Sequence, residues 1–241
     1  MRIKGKAKKA LISVLIIPIL GLSTYYMDDI QKFILNIIPN EQIRSYEINN
    51  LPEYSGNDFV YINNNEPEFT KEELSKDVYE EYSDFDILGR CGVASAIISL
   101  DTMPKEERGF IGQIKPTGWH TIKYDFIDGK YLYNRCHLIG YQLTGENANE
   151  KNLITCTRHM NSSSMLKFEN EVAEYVKKTS NRVMYRVTPI FKDKNLLATG
   201  VQIEALSIED NGKGIKFNVF VYNVQDKIQI DYSNGDSKVI D

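Results

Sequence analysis

The sequence predicts an α+β fold with a largely antiparallel sheet. An apolar period of about 3.6 residues predicts one long helix over 161–178, and its apolar face comprises Met165, Phe168, Val172, Tyr175 and Val176. Three strand-like runs follow this helix, at 183–191, 196–208 and 215–224, separated by polar turns at 193–195 and 211–214. Strands joined by short turns pair antiparallel, which indicates a helix packed on an antiparallel sheet.

The elements before this helix are shorter. The apolar run 59–62 predicts a strand that ends in an asparagine turn at 63–65. Thr70 and Glu73 have the spacing of a capping box, which predicts a helix start. The run 87–100 predicts a central strand, and the segments 119–124 and 130–133 predict a hairpin around Asp128-Gly129.

The N-terminus has the pattern of a targeting segment. Residues 1–9 are basic, and an apolar run over 10–22 follows. That run is shorter than the roughly 20 residues that a membrane span needs. We therefore expect residues 1–23 to be either a signal peptide cleaved after Ser23 or an uncleaved membrane anchor.

The sequence places a linking region and one domain after this segment. An amphipathic helix is predicted at 27–38, and a polar linker completes the region 24–50. The compact domain is expected over 51–241. With 42% apolar and 26% charged residues, the chain has a globular composition, which excludes the disordered class. Its net charge of −4 does not decide for or against nucleic acid, since a local basic surface is sufficient for binding.

Three cysteines, Cys91, Cys136 and Cys156, are too few for a disulfide framework. They contain no C-x-x-C motif, and their number is too low for a structural zinc site. Two alternatives remain: a Cys91–Cys136 pair that leaves Cys156 free, or three small buried side chains.

The chemistry is concentrated at residues 134–161. Arg135 and His137 alternate along a predicted strand, so both side chains leave the same face. This pairing is costly in a core and natural at an anion site. Four asparagines follow, and their amide oxygens suit a hard cation such as Mg²⁺: Asn147, Asn149, Asn152 and Asn161.

The segment 131–161, YLYNRCHLIGYQLTGENANEKNLITCTRHMN, resembles the core of the DNA/RNA non-specific endonucleases of the ββα-metal (His-Me finger) superfamily. The usual signature of that family is Asp-Arg-Gly-His, and this chain is similar to the streptococcal branch, which has Asn-Arg-Cys-His. The likeness extends from about residue 51 to the C-terminus.

The resemblance implies a role for each matching residue. His137 matches the general base, and Asn161 matches the asparagine that binds the single Mg²⁺. Glu169 matches an acidic residue that acts on the metal through water, and Asn152 matches a supporting asparagine. Arg135 matches the motif arginine, which steadies either the phosphate or the local fold.

Further candidates surround this motif. Asn134 replaces the usual aspartate, which puts metal affinity and rate in doubt more than the reaction class. With Asn134 and Asn152, Arg108 and Arg158 are the candidate substrate contacts. A thiol nucleophile at Cys136 is disfavoured, because neighbouring residues of a strand point to opposite faces.

The resemblance implies an exported or surface-anchored, Mg²⁺-dependent endonuclease of DNA and RNA that leaves 5′-phosphates, with Mn²⁺ as a substitute metal. Two alternatives come from other classes. One is a catalytically weak nucleic-acid-binding or DNA-uptake surface protein, which the Asn134 variant motif suggests. The other is a membrane-tethered interaction module without catalysis, suggested by the N-terminal segment. DNA or RNA preference, strandedness and oligomeric state are left open.

Overall fold

The computed structural model describes residues 45–240. Its strands are β1 (Ser45–Tyr46), β2 (Phe59–Ile62), β3 (Glu80–Tyr82), β4 (Ala94–Ile98), β5 (Tyr133–His137), β6 (Leu153–Thr157), β7 (Val183–Ile190), β8 (Gly200–Ser207), β9 (Lys216–Tyr222), β10 (Ile228–Ile230) and β11 (Ser237–Val239). Its α-helices are α1 (Lys71–Ser75), α2 (Tyr141–Thr144) and α3 (Met165–Thr179).

Seven strands form one sheet in the order β1-β2-β9-β8-β7-β4-β3. All neighbours pair antiparallel except β1, which runs parallel to β2. The three predicted strands after the helix are therefore confirmed as β7, β8 and β9. The predicted central strand at 87–100 is shorter, at Ala94–Ile98, because Asp86 accepts hydrogen bonds from the backbone amides of Leu88 and Arg90 and folds that stretch into a turn.

Helix α3 covers one face of this sheet. Its buried residues follow the predicted period, and they are Met165, Phe168, Val172, Ala173 and Val176. They pack against the inward residues of the central strands, such as Tyr185, Ile203 and Val219. This packing confirms the predicted α+β fold.

The helical segment begins slightly earlier than predicted. A π-turn over Met160–Ser164 precedes α3, so Asn161 is the second residue of this turn and not the first residue of a helix. The predicted capping box at α1 is present, with Thr70 and Glu73 each bonding the other's backbone amide. The predicted hairpin at 119–133 is reduced to a single bridge between Lys123 and Tyr131.

The N-terminal boundary of the domain differs from the expectation. Ser45 and Tyr46 pair with Tyr61 and Ile62 in the main sheet, so the fold includes residues assigned to the linker of region 24–50. The predicted segment 1–23 and the helix at 27–38 lie outside the described residues. Within residues 45–240, no helix is long and apolar enough to cross a membrane.

Candidate active site

Strands β5 and β6 form a separate two-stranded antiparallel ribbon, and the π-turn and α3 follow it directly. His137 is the last residue of β5 and lies opposite Leu153, the first residue of β6. The ribbon and the helix together make a ββα unit with the predicted histidine at the end of its first strand.

A disulfide joins the two strands of this ribbon. Cys136 and Cys156 are bonded, with their Cα atoms 5.8 Å apart. Cys91 is buried and free, and its thiol donates to the backbone oxygen of Leu153 over 3.2 Å. The considered Cys91–Cys136 pair is therefore wrong. All three cysteines are buried, as the other alternative expected, but two of them are bonded to each other. The bond also leaves Cys136 with no thiol for a nucleophilic role.

Both ring nitrogens of His137 have fixed partners. Nε2 lies 2.8 Å from the backbone oxygen of Asn147, and Nδ1 lies 3.1 Å from Nη2 of Arg108. A carbonyl only accepts and a guanidinium only donates, so the neutral ring carries its proton on Nε2. The lone pair of His137 is therefore on Nδ1, directed at Arg108.

The surroundings of His137 favour the neutral ring. Burial of the imidazole, aided by the nearby charge of Arg108, lowers the pKa of His137 to about 4, although the bond to Asn147 opposes the shift. At neutral pH the ring is therefore uncharged and has a lone pair on Nδ1, which accepts a hydrogen bond from Arg108 in the free protein. This is the protonation state that a general base requires.

Glu169 belongs to the same site. It projects from α3 toward the turn after β5, where a Cβ on Gly140 would lie 2.5 Å from its carboxylate Oε2. Burial raises the pKa of this carboxyl to about 7, against the opposing effects of Gln142 and of the Arg108 charge. Arg108 thus acts electrostatically on both His137 and Glu169, and glycine at 140 leaves room for the carboxylate.

Asn161 occupies the other end of this helical segment. It is partly buried, and no described residue forms a hydrogen bond with its side-chain amide. Eight residues separate it from Glu169, or about 12 Å at 1.5 Å per residue. Just before Asn161, the amides of His159 and Met160 donate to the side chains of Gln225 and Thr157.

Arg135 holds the connection that precedes the ribbon. Its Nη2 donates to the backbone oxygen of Gly112 over 2.7 Å, and its Nε donates to the backbone oxygen of Ile114. The guanidinium also lies 3.9 Å from the ring centroid of Trp119. Of the two roles open to Arg135, these contacts support steadying the local fold.

Asn152 has a comparable structural position. It is fully buried. Its Oδ1 accepts from the amide of Ile139 over 2.9 Å, and its Nδ2 donates to the oxygen of Ile139 over 3.0 Å. Both polar atoms of the Asn152 side chain are thus committed to Ile139, which gives the predicted substrate contact at Asn152 no support. Its side chain fixes the turn that brings Gly140 to Glu169, as a supporting residue would.

Two other predicted contacts lie away from the His137 side chain. Arg158 follows β6 at the end where Thr157 faces Tyr133, four residues or about 13 Å along the strand from His137. It forms an exposed ion pair with Asp128 over 2.8 Å. Asn134 lies three residues before His137 in β5, so its side chain leaves the opposite face of the strand. That face also carries Cys136, which belongs to the core cluster that includes α3.

No pattern in the sequence indicates the role of the Asn147 backbone oxygen or the space that Gly140 leaves. A backbone carbonyl carries no residue-type signal, and a glycine required for close approach looks like any loop glycine. Arg108 was expected near the substrate, but its bond to His137 spans a sequence separation of 29 residues. Periodic patterns in a sequence predict local structure, and they do not predict a hydrogen bond between residues so far apart.

Comparisons with known proteins agree with this geometry. A family model described as DNA/RNA non-specific endonuclease matches residues 70–208, more than half of the chain. The structure of NucA from Streptococcus agalactiae with a magnesium ion bound is 26% identical, with a TM-score of 0.70 over 80% of this chain and 93% of that one.

Two further structures are similar. NucA from Streptococcus agalactiae with no metal bound is 27% identical, with a TM-score of 0.67, over 80% of this chain and 92% of that one. The Sda1 nuclease with a bound zinc ion is 27% identical, with a TM-score of 0.56, over 68% of this chain and 80% of that one. The predicted resemblance and the ββα-metal type of fold are thereby confirmed.

Proposed function

Because the chain belongs to the DNA/RNA non-specific endonuclease family, we propose that this nuclease is a Mg²⁺-dependent enzyme in which His137 is the general base. The observation that carries the proposal is the His137 ring itself. It is buried, neutral and fixed by Asn147, and its lone pair at Nδ1 faces an arginine. The proposed substrates are DNA and RNA, cleaved without sequence preference.

The reaction follows from this tautomer. Nδ1 of His137 removes a proton from water as the water oxygen attacks phosphorus. The bond between phosphorus and the 3′ oxygen breaks with its electron pair going to that oxygen, which takes a proton from solvent water to become a 3′-hydroxyl and leaves a 5′-phosphate; His137 then returns its proton to solvent. The oxygen of Asn147 accepts from Nε2 throughout, so it holds the ring in place and stabilises the positive charge that the ring acquires.

Arg108 has two partners in this scheme. In the free protein it donates to the lone pair of His137, and that bond must break before Nδ1 accepts a proton. A guanidinium binds the anionic oxygens of a phosphodiester more strongly than it binds a neutral imidazole. Substrate therefore draws Arg108 onto the phosphate, frees Nδ1 and weakens the smaller of the two influences that lower the pKa of His137, while burial, the larger one, remains.

The residues present fit a hard cation with few protein ligands. Among the described residues, no group of three or more His, Cys, Asp or Glu side chains could enclose a metal. Mg²⁺ commonly keeps several waters and takes one or two protein oxygens plus substrate phosphate. Asn161, whose amide has no partner among residues 45–240, would bind it directly, and Glu169 would act through water. Bound there, the cation would stabilise negative charge on the phosphate.

The metal named for NucA supports Mg²⁺, and the zinc named for Sda1 shows that a relative accepts another divalent ion. We expect Mn²⁺ to substitute, since it shares the preference for oxygen ligands. Residues 1–23 support export, followed by release or by anchoring at the membrane surface. DNA and RNA are the expected partners; membrane contact is expected only through an uncleaved N-terminal segment.

The test is digestion of plasmid DNA and of an unstructured RNA by the full chain. We expect complete degradation of both with Mg²⁺, and none with EDTA or with His137→Ala. His120→Ala is the matched control, because His120 is exposed and hydrogen-bonded to Asn234 at the surface. Product ends should accept label from polynucleotide kinase only after phosphatase treatment, as 5′-phosphates require. Nucleic-acid binding without cleavage in Mg²⁺ and Mn²⁺ would instead support the binding-protein alternative.

A further inference from the structure

Phe110 is an exposed aromatic side chain beside the active site. It is 82% exposed and lies two residues after Arg108, the residue that bonds His137. Two residues of chain span at most about 7 Å, so this ring is a close neighbour of the proposed phosphate position. None of the proposed catalytic steps uses it.

The backbone beneath this ring is held in place. The outer edge of the Phe110 ring lies over Gly112, where a Cβ would collide with it. The oxygen of Gly112 accepts from Arg135, which in turn lies against Trp119. The ring is thus supported by a fixed segment while most of its surface faces solvent.

The same segment is also fixed on its other side. A Cβ on Gly109 would lie 2.8 Å from the side-chain nitrogen of Asn147, the residue whose backbone oxygen orients His137. Arg108 and Phe110 are therefore positioned by the contacts that position the base. A side chain held in its binding geometry loses little freedom when a ligand arrives, which strengthens binding.

We propose that Phe110 is a stacking platform for an unpaired nucleobase next to the scissile phosphate. The inference rests on the proposed function, since Arg108 must hold the phosphate for a neighbouring base to reach the ring. Stacking on an aromatic side chain contributes about 1–3 kcal/mol per base and is tolerant of sequence. It therefore suits a nuclease without sequence preference.

The platform has a consequence for strandedness. Bases in a duplex are already stacked on both faces, and taking one out costs a few kcal/mol. An unpaired base has no such cost, so Phe110 should favour single-stranded DNA, RNA loops and locally opened duplexes. The preference comes from this ring, whereas the phosphate contact of Arg108 is common to both forms.

The experiment compares full-length Phe110→Ala, Phe110→Trp and Phe126→Ala on one oligonucleotide sequence, single-stranded and as a duplex. Phe126 is the matched control, because it is also exposed, at 51%, but lies before Tyr133, the first residue of β5. His137 is the last residue of that strand. We expect Phe110→Ala to lower kcat/KM on the single strand by about 5- to 150-fold, mainly through KM. Duplex cleavage should change by less than about 2-fold, Phe110→Trp should restore the single-strand rate, and Phe126→Ala should change neither.

A binding measurement separates the platform from the catalytic proposal. A single-stranded oligomer that contains 2-aminopurine is titrated into the His137→Ala protein, with and without Phe110→Ala. Fluorescence quenching that is lost with the ring supports stacking, whether or not the wild-type chain cleaves. Unchanged quenching, or equal losses of cleavage on single and double strands, would overturn the platform. The plasmid assay would still report separately on His137.

Discussion

Two clusters of charged and polar groups in this protein use similar residues in opposite ways. On the sheet face away from α3, Arg186 of β7 lies opposite Glu204 of β8 and bonds it over 2.8 Å. The same arginine bonds Glu73 over 2.9 Å. In the active site, Arg108 instead bonds the neutral ring of His137.

The pKa values reflect this difference. Despite opposing burial, Glu204 raises the pKa of Arg186, while hydrogen bonds from Thr70 and the Arg186 charge hold the pKa of Glu73 below its usual value. In the active site, burial raises the pKa of Glu169 to about 7 and lowers that of His137 to about 4. The first cluster favours its charged forms, whereas the second disfavours them. Buried titratable groups whose charged form is disfavoured, such as Glu169 and His137, are typical of functional sites.

Arg186→Ala should have the largest effect on stability. It leaves the Glu204 carboxylate, whose side chain is 4% exposed, without its ion-pair partner. Loss of one partner of a buried pair costs about 3–5 kcal/mol in the free energy of unfolding. Urea unfolding should show this loss, while kcat/KM per folded molecule stays at the wild-type value.

The matched control for this variant is Arg158→Ala. It breaks an ion pair with Asp128, whose side chain is 86% exposed, so the expected loss is below about 1 kcal/mol. Equal losses in the two variants, or a fall in kcat/KM with Arg186→Ala, would remove the distinction between the two clusters.

The disulfide tests how the site-bearing ribbon is stabilised. A two-stranded ribbon is marginal on its own, whereas the main-sheet strands β7 and β8 have neighbours on both sides. The Cys136–Cys156 bond spans a sequence separation of 20, and closing such a loop stabilises by about 3 kcal/mol. The double variant Cys136→Ser/Cys156→Ser should unfold at correspondingly lower urea.

Dithiothreitol provides the control for this prediction. It should shift the urea midpoint of the wild-type protein and leave that of the double variant unchanged. A wild-type midpoint that does not respond to complete reduction would show that the disulfide contributes nothing to the ribbon.

Arg108→Ala should change the titration of His137. Because the Arg108 charge helps to hold the pKa of His137 down, its removal should move that pKa upward, although burial keeps it below the usual value of 6.5. NMR titration of the ring protons measures it directly, with Arg158→Ala as the control. An unchanged His137 titration in Arg108→Ala would contradict the contact seen here.

His137 also has a stability consequence with a definite sign. Its folded pKa of about 4 lies below the ordinary 6.5, so the unfolded chain binds more protons between these values. This contribution to stability is fully present above pH 6.5 and is lost as the pH falls toward 4. The pattern is that of a histidine buried in its neutral form.

Local patterns were sufficient for much of the fold. The apolar period of α3, the strands β7 to β9 and the capping box at Thr70 each depend on neighbours within a few residues, and each was predicted. Ser45 and Tyr46 read as polar linker, because pairing at the edge of a sheet leaves no local pattern in two residues.

The sequence predicted which residues form the candidate site better than it predicted their hydrogen-bond partners. The resemblance pointed to His137 and Glu169, and Arg108 was a separate candidate for a substrate contact; the structure brings these three residues together. The resemblance did not reveal that Asn152 is fully buried against Ile139, or that Arg135 is committed to Gly112 and Ile114. These are contacts with backbone atoms, and residue identity at either end does not specify them.

The most direct test of the account replaces the base and then returns it from solution. Full-length His137→Gly should lose about 10²- to 10⁴-fold in kcat on plasmid DNA with Mg²⁺. Added imidazole should restore part of that rate in proportion to its neutral form, whereas pyrazole, a far weaker base of the same shape, should not. Near wild-type activity of His137→Gly without additive, or equal rescue by both compounds, would contradict a general base at His137.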